Sequence, residues 1–248
     1  MMRRLVLLHC VFSLVLSFSA FGDEQEIKQV KAELVRTLPE LSEATIRPAQ
    51  IPGLYEIHLD TKIFYTTKDA KYLLTGDLVD LGTRTNLTEI RRAAIRTRLI
   101  DKIGEDNMIV IGPDKPKRTL TVFTDVDCPY CARFHNDVPV LNKYGVKVRY
   151  LFYPRAGLKS ESYRRSVAVW CADDRIKAIG IAKSGGRLDM KTCPNPVKRD
   201  YQLGERLDIN GTPTIVFDNG KILPGYVPAR QLLGMLGIKA EPPLTAVQ

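Results

Sequence analysis

A Cys-Pro-Tyr-Cys motif at residues 128–131 constrains the fold of this chain more than any other feature. The motif follows an apolar, β-favouring run at Leu120–Phe123 and precedes a helical pattern, so a strand delivers two cysteines to the first turn of a helix. Pro129 suits the first helical position, where its missing N–H costs nothing. Two cysteines at this spacing can close a small disulfide, and a thiolate at Cys128 lies near the positive end of the helix dipole. The pattern is typical of a dithiol redox site.

Three other interpretations of the motif compete with this one. A zinc site needs two further ligands at short spacing, whereas the later cysteines, Cys171 and Cys193, are 22 residues apart. A c-type haem site requires a histidine directly after the second cysteine, and Ala132 occupies that position. A purely structural disulfide between Cys128 and Cys131 closes too short a loop to constrain the unfolded chain much. We therefore interpret the motif as redox-active, with no cofactor and no metal.

The first 22 residues have the pattern of a secretory signal peptide. Arg3 and Arg4 precede an apolar run over residues 5–18, which is short for a transmembrane span. The small residues Ala20 and Gly22 allow cleavage before Asp23. Export implies an oxidising compartment, and the bacterial periplasm fits this type of signal.

Without that segment the chain retains four cysteines, an even number that agrees with disulfide pairing in an exported protein. Two of the four belong to the motif, so we predict that Cys171 and Cys193 bond to each other. Closing a loop of about 22 residues would stabilise the fold by roughly 3 kcal/mol in the chain-entropy model.

The formal net charge is +9 for the full chain and +7 after residue 22, because Arg3 and Arg4 are the only charged residues before Asp23. Short basic clusters, such as residues 115–118, are separated by acidic residues. This distribution indicates a solvated surface rather than a nucleic-acid site, and export makes nucleic acid a poor partner.

Residues 23–85 predict a small α+β domain. Apolar residues at helical spacing predict one helix over residues 24–38. Strand-like segments separated by turn signals predict a small antiparallel sheet over residues 54–59, 63–66, 71–74 and 76–81. A domain of this size is marginally stable alone, and oligomerisation is a usual remedy. No group of residues in it suggests a catalytic site.

Residues 86–117 predict a charged helix followed by a stiff polar segment, which suits a linker helix and hinge. Residues 118–240 then follow the thioredoxin pattern of strand, motif helix, strand, further helices, strand, hairpin and final helix. A helical insertion at about residues 155–205 contains Cys171 and Cys193. Residues 241–248 predict a disordered tail.

Beyond residue 22, the chain resembles the periplasmic thiol:disulfide interchange proteins of the DsbC/DsbG family, and the DsbC branch most closely. The resemblance rests on Leu120–Asp125, the motif itself, Gly211-Thr212-Pro213 and Pro224-Gly225-Tyr226. It implies a V-shaped homodimer built by a cystatin-like N-terminal dimerisation domain, a linker helix and an α/β thioredoxin-fold catalytic domain. It also implies that a DsbD-like membrane reductase keeps the motif reduced, and that the pair Cys171 and Cys193 is the family's structural disulfide.

Two positions depart from the family patterns. Pro129 stands where typical DsbC proteins carry glycine and where DsbG carries proline, so the motif leaves the branch open. Val122 stands where thioredoxin carries a buried aspartate six residues before the first cysteine, so a thioredoxin-type internal base is missing.

We predict that Cys128 is the attacking thiolate and that Cys131, less exposed, resolves the mixed disulfide. The helix start should lower the pKa of Cys128 from about 8.5 into a range of roughly 3.5–7.5. The substrates are misfolded, disulfide-bonded proteins of the periplasm, whose wrong disulfides are rearranged or reduced. The alternatives are a DsbG-like reductase of sulfenylated single cysteines, a holdase chaperone with secondary redox activity, and a monomeric oxidase.

The thioredoxin pattern also predicts a cis peptide bond between Thr212 and Pro213, although a trans bond is the default for X-Pro. A cis bond beside the cysteines leaves backbone groups of Thr212 free to pair with an extended substrate. We therefore predict that Pro129, Tyr130, Thr212 and Pro213 contact the substrate.

Overall fold

The computed structural model describes residues 24–240 of the chain. The chain divides into two compact units, with the division between Arg92 and Ala93. The predicted signal peptide (residues 1–22) and the predicted tail (residues 241–248) lie outside the described residues. Within residues 24–240, no helix combines the length and the apolar character that crossing a membrane requires.

The N-terminal unit contains the predicted helix and antiparallel sheet. Helix α1 covers residues 24–37, and Val30 and Leu34 on one of its faces are buried in a core that also contains Tyr55 and Ile57. The sheet has the spatial order β1-β2-β3-β4. Its strands are β1 (Thr45–Pro48), β2 (Leu54–Leu59), β3 (Lys62–Thr67) and β4 (Leu73–Leu74).

The prediction of one strand over residues 76–81 is wrong. Only its part β5 (Val79–Asp80) is extended in a ladder, which it forms with β6 (Thr85–Asn86) apart from the main sheet. Gly76 has a φ of +127°, which breaks the strand on one side. On the other side, the carboxylate of Asp80 accepts from the N–H groups that follow it and closes a turn. Strand β1 was missed, because four residues that end in proline carry little signal.

Helix α2 (Leu87–Asp101) contains the division between the units, and the Asn86 side chain caps it by accepting from Glu89 N–H at 2.8 Å. Strand β7 (Ile109–Ile111) lies in the segment predicted as a linker. It pairs antiparallel with the strand over residues 146–152, because Met108–Ile111 forms a short apolar run that the sheet can bury.

The C-terminal unit is built on a five-stranded mixed sheet with the order β11-β10-β8-β9-β7. Strands β8 and β9 are parallel to each other, and the other neighbouring pairs are antiparallel. The elements are β8 (Arg118–Thr124), α3 (Pro129–Lys143), β9 (Val146–Phe152), α4 (Glu161–Trp170), α5 (Arg175–Lys183), α6 (Val197–Arg206), β10 (Thr214–Phe217), β11 (Ile222–Pro224) and α7 (Ala229–Met235).

Alternating side chains of β8 fill a separate core on each face of this sheet. Leu120 and Val122 belong to one core, together with Phe134 of α3 and residues of α4, α5 and α7. Phe123 belongs to the other core, which contains Leu203 of α6. The strand that leads into the motif is therefore buried on both faces, and this rigid position fixes where α3 begins.

The insertion between β9 and β10 contains the predicted disulfide. Cys171 caps the end of α4 and is bonded to Cys193 in the segment before α6, with a Cα–Cα distance of 5.7 Å. Helix α5 lies within the loop that this bond closes. The disulfide therefore restrains both ends of the segment that carries Lys183, the last residue of α5.

Candidate active site

The two cysteines of the motif lie where β8 passes into α3. Cys128 is the N-cap of α3, with an extended backbone (φ −88°, ψ 120°), and Pro129 follows as the first helical residue. The carbonyl of Cys128 accepts the first helical hydrogen bond, from Ala132 N–H at 3.0 Å. Cys131 therefore lies almost one turn into the helix, on its buried side.

Both thiols are shielded from solvent. Cys128 is 1% exposed and Cys131 is fully buried, so the predicted order of exposure holds by a small margin. The neighbouring Tyr130 is 56% exposed, and the guanidinium of Arg133 lies 5.2 Å from its ring centre. An incoming substrate thus meets an exposed aromatic ring beside a recessed thiol.

The Thr212-Pro213 peptide bond is cis, as predicted. The loop places the backbone oxygen of Thr212 3.3 Å from Cys128 Sγ, although the two residues are 84 positions apart in the sequence. The Pro213 carbonyl accepts from Gly225 N–H at 2.8 Å, which ties this loop to the end of β11. The residues predicted to contact the substrate are thereby gathered at one place: Pro129, Tyr130, Thr212 and Pro213.

The environments of the two thiols push their pKa values apart. Hydrogen bonding from the Cys131 thiol, stronger than the opposing effect of burial, lowers the pKa of Cys128 to about 5, and the charge of Arg155 adds to this. Burial raises the pKa of Cys131 far above its ordinary value, and its hydrogen bond to Cys128 raises it further. At neutral pH the motif therefore holds one thiolate, at Cys128, and one thiol, at Cys131.

Alkylation of reduced protein by iodoacetamide is expected to show this difference. Only the thiolate reacts, so the rate at Cys128 should be half-maximal near pH 5 and constant through the neutral range. The measurement is the site-specific rate between about pH 3.5 and 9, read by mass spectrometry. In a Cys131→Ala control the midpoint should rise, because the largest stabilising hydrogen bond is gone. An apparent pKa near the ordinary value of about 8.5 in the wild-type protein would contradict the activated thiolate.

A buried carboxylate fixes the loop between β8 and the motif. Asp125 accepts from its neighbour Asp127 N–H at 2.9 Å, from the Arg155 N–H at 3.0 Å and guanidinium at 3.1 Å, and from the Ser162 hydroxyl. Burial works against its ionisation, yet these hydrogen bonds together keep the pKa of Asp125 below its ordinary value. The same contacts hold the Arg155 cation near Cys128.

Sequence reasoning missed the roles of Asp125, Arg155 and Lys183 at this site. Lys183 is buried, with Nζ 2.7 Å from Thr124 Oγ1, at the end of the strand that precedes the motif. The sequence carried no signal for it, since a lysine in the last turn of a helix normally lies in solvent. His135 is partly buried; burial, and then the Lys183 charge, lower its pKa to about 4, so it is neutral.

Within residues 24–240, no group of three or more histidine, cysteine, aspartate or glutamate side chains is arranged to hold a metal ion.

Comparison with known proteins agrees with the fold. A model of the disulfide bond isomerase protein N-terminal domain matches residues 19–89, and a thioredoxin-like domain model matches residues 105–238. The thiol:disulfide interchange protein DsbC of Dickeya dadantii (strain 3937) is 34% identical over 235 residues, which cover 95% of both chains. The chain belongs to the DsbC family of thiol:disulfide interchange proteins.

A second DsbC protein and one solved structure are also similar to this chain. DsbC of Escherichia coli (strain K12) is 30% identical over 224 residues, covering 90% of this chain and 92% of the relative. The crystal structure of a disulfide interchange protein from Neisseria gonorrhoeae is 33% identical over 54% of this chain and 96% of that chain, with a TM-score of 0.48. The predicted family, fold class and enzyme class are confirmed: this is a thiol:disulfide interchange enzyme of the DsbC family with an N-terminal domain of that family and a thioredoxin-like domain.

Proposed function

We propose that this DsbC-family enzyme is a periplasmic disulfide isomerase in which Cys128 attacks wrong disulfides of exported proteins and Cys131 resolves the product. The observation that carries this proposal is the division of charge within one motif. Cys128 is held as a thiolate, whereas the neighbouring Cys131 keeps its proton. The thiolate is the form of a cysteine that attacks a disulfide, and a protonated partner does not close the motif prematurely.

The reaction has two possible endings. The Cys128 thiolate attacks one sulfur of a substrate disulfide, forms a mixed disulfide and releases the other substrate sulfur as a thiolate. If a substrate thiolate then attacks the mixed disulfide, Cys128 is regenerated and the substrate has been rearranged with no net change in electrons. If Cys131 attacks instead, the substrate leaves with both of its thiols, and the motif becomes a disulfide after giving up two electrons. The second ending requires a reductant, for which we propose a DsbD-like membrane reductase.

Four residues around Cys128 fit an extended substrate segment. The backbone of Thr212 lies directly beside the attacking sulfur, where an extended peptide can pair with it as an added strand. Pro129 and Pro213 restrict the backbone on the two sides of this gap, and Tyr130 presents an exposed apolar ring. We assign Pro129, Tyr130, Thr212 and Pro213 to substrate binding on these grounds.

We further propose that residues 23–85 form a dimerisation domain and that the working enzyme is a homodimer. The edge strand β4 exposes Leu73 and Leu74, and Tyr72 beside them is 66% exposed. An exposed apolar edge strand is a ready site for pairing with a second copy. Residues 86–117 then link this domain to the catalytic domain at residues 118–240, whose sheet also takes up β7 from this segment. The periplasm and its misfolded, disulfide-bonded proteins are the proposed location and substrates.

Pro129 favours a second candidate function, a DsbG-like reductase of sulfenylated single cysteines. The two functions are distinguished by giving the reduced wild-type enzyme two substrates: a scrambled protein with several disulfides, and a protein with one cysteine oxidised to sulfenic acid. We expect recovery of native disulfides in the first to be at least about tenfold faster than without enzyme, under conditions in which the second is reduced more slowly. Rapid reduction of the sulfenic acid without recovery of scrambled disulfides would instead establish the reductase.

A further inference from the structure

Lys183 is a buried cation directly behind the motif. Its side chain extends from the end of α5 and is only 8% exposed. Its Nζ donates to Thr124 Oγ1 at 2.7 Å and to the Asp125 backbone oxygen at 3.4 Å, and both of these acceptors are uncharged. Nζ also lies 5.6 Å from the centre of the Tyr150 ring, within the range of a cation–π interaction. Burial of an ammonium on neutral partners is costly, so a nearby group that can carry a negative charge is expected.

The group that Lys183 faces is Cys131. The hydroxyl of Thr124 accepts from Lys183 and is also hydrogen-bonded to the Cys131 sulfur, so one hydroxyl connects the cation to the resolving thiol. The charge of Lys183 opposes the burial that raises the pKa of Cys131, and Cys131 in turn opposes the burial that lowers the pKa of Lys183. The stabilisation is therefore mutual.

Formation of the mixed disulfide changes what surrounds Cys131. In the reduced enzyme the Cys131 thiol donates to the Cys128 thiolate, and this hydrogen bond helps Cys131 to keep its proton. Once Cys128 is bonded to a substrate sulfur, that negative charge is gone. The Lys183 ammonium then lacks one of the two thiol sulfurs that stabilise its charge, and Cys131 is left as the thiol that can carry a negative charge beside it.

The other charged and titratable groups around Cys131 cannot stabilise its thiolate as Lys183 does. The Asp125 carboxylate is occupied by its own donors, and Asp127 is paired with Arg165 at 2.9 Å. Both are negative, so they disfavour a thiolate. His135 is neutral, and its Nδ1 lies 3.1 Å from the Tyr150 hydroxyl.

Two groups remain from the elements packed around the site. The phenol of Tyr150 is completely buried, and burial raises its pKa well above the ordinary value, so it stays neutral. The guanidinium of Arg155 is held by Asp125 on the Cys128 side of the motif. Lys183 is therefore the cation placed to act on the resolving thiol.

We propose that Lys183 is a positioning residue for the resolving step. Its buried ammonium, acting with the Thr124 hydroxyl, stabilises the Cys131 thiolate once Cys128 has formed a mixed disulfide with the substrate. This inference rests on the proposed roles of Cys128 and Cys131. The Cys131 thiolate attacks Cys128 Sγ, a Cys128–Cys131 disulfide forms, and the bond from Cys128 to the substrate sulfur breaks. The substrate sulfur leaves with the electron pair, and the proton given up by Cys131 is balanced by the proton that the substrate thiolate takes up.

The two attacks can be timed separately with Ellman's reagent in a stopped-flow instrument. One thionitrobenzoate is released when Cys128 attacks the reagent, and a second is released when Cys131 resolves the mixed disulfide. In Lys183→Met we expect the second release at pH 7 to be at least about tenfold slower, with the first within threefold of wild type. The pH midpoint of the second release should move up by more than about one unit, since each unit of increase in the pKa of Cys131 lowers its thiolate fraction tenfold. Lys177→Met, at an exposed position on the same helix, is the matched control and should leave both phases unchanged.

A second measurement removes the dependence on kinetics. In Cys128→Ser only one thiol of the motif remains, and the negative charge at position 128 is absent as it is in the mixed disulfide. Ultraviolet absorbance of the thiolate against pH, taken as the difference from a reference variant in which Cys131 is also serine so that the tyrosines cancel, should then report Cys131, with its midpoint more than one unit higher in Cys128→Ser/Lys183→Met than in Cys128→Ser. An unchanged midpoint, or equal slowing of both releases with no change in their pH profiles, would overturn the role of Lys183. Absence of the first release in wild-type protein would instead refute Cys128 as the attacking thiol.

Discussion

Replacement of Cys128 by alanine is expected to reduce the rearrangement of scrambled disulfides to the uncatalysed rate, a loss of at least about tenfold. The reason is chemical. Cys131 is fully buried and protonated at neutral pH, so it cannot replace the lost nucleophile. The measurement is the recovery of native activity by a scrambled multi-disulfide protein in a glutathione buffer, with equal amounts of wild-type and Cys128→Ala enzyme.

The matched control is Cys131→Ala, which keeps the attacking sulfur and removes the resolving one. It should still attack substrates and accumulate mixed disulfides, visible as covalent adducts on a non-reducing gel. The same pair of variants tests the holdase alternative. If Cys128→Ala suppresses aggregation of an unfolded protein as well as wild type does and rearrangement is also unaffected, the thiol is not the working group and the chaperone interpretation holds.

Gly220→Ala is expected to lower the free energy of unfolding of the C-terminal unit by roughly 3–5 kcal/mol. Gly220 lies in the turn between β10 and β11 with φ +81°, a conformation that costs an alanine about 1–2 kcal/mol. An added Cβ would lie 2.1 Å from the backbone oxygen of Ala93 in α2, so the turn must move away from the helix. That movement would lengthen the buried hydrogen bond from Arg96 Nε to the Gly220 oxygen, now 2.7 Å, and a charged group that loses a buried partner costs roughly 1.5–3 kcal/mol.

The measurement is urea denaturation followed by tryptophan fluorescence, since the single tryptophan, Trp170, lies in the core of this unit. Gly237→Ala is the matched control. Gly237 also has a positive φ, +72°, but nothing lies within 4 Å of the place its Cβ would occupy. It should cost only the backbone strain of about 1–2 kcal/mol. Equal losses in the two variants would show that the approach of the turn to α2 contributes little to stability.

The thioredoxin-like fold and the dithiol could be predicted because their signals are local. Recognition of Cys-Pro-Tyr-Cys as a redox motif requires only a preceding strand and a following helix, and the residues next to the motif predict both. The disulfide between Cys171 and Cys193 followed from counting, since only two cysteines remained after the motif and the signal segment were set aside. The cis bond before Pro213 depended on the whole pattern of the domain, because an X-Pro bond taken by itself favours the trans isomer.

The electrostatic surroundings of the thiols could not be predicted, because they are assembled from distant parts of the chain. Lys183 lies 59 residues after Thr124, whose hydroxyl it contacts, and nothing in its own helix distinguishes it from a solvated lysine. Arg155 reaches the site only because Asp125 holds it, and Asp125 appeared in the sequence merely as part of the family resemblance. Strand β7 escaped prediction for a related reason, since three residues become a strand only when β9 is there to pair with them.

The C-terminal unit holds one closed disulfide and one open dithiol, and this arrangement fixes how many free thiols each active chain should carry. Residues 24–240 contain four cysteine sulfurs, of which two have together given up two electrons and two protons to an oxidant and formed a disulfide, while the other two remain reduced. A working chain that lacks residues 1–22 should therefore give a titre of two thiols. A titre of four marks a chain that was never oxidised, and a titre of zero marks one that was oxidised too far. The Cys171–Cys193 pair must therefore be oxidised and the Cys128–Cys131 pair reduced in the same chain. Counting free thiols shows whether a sample has two reduced cysteines per chain before its activity is assayed.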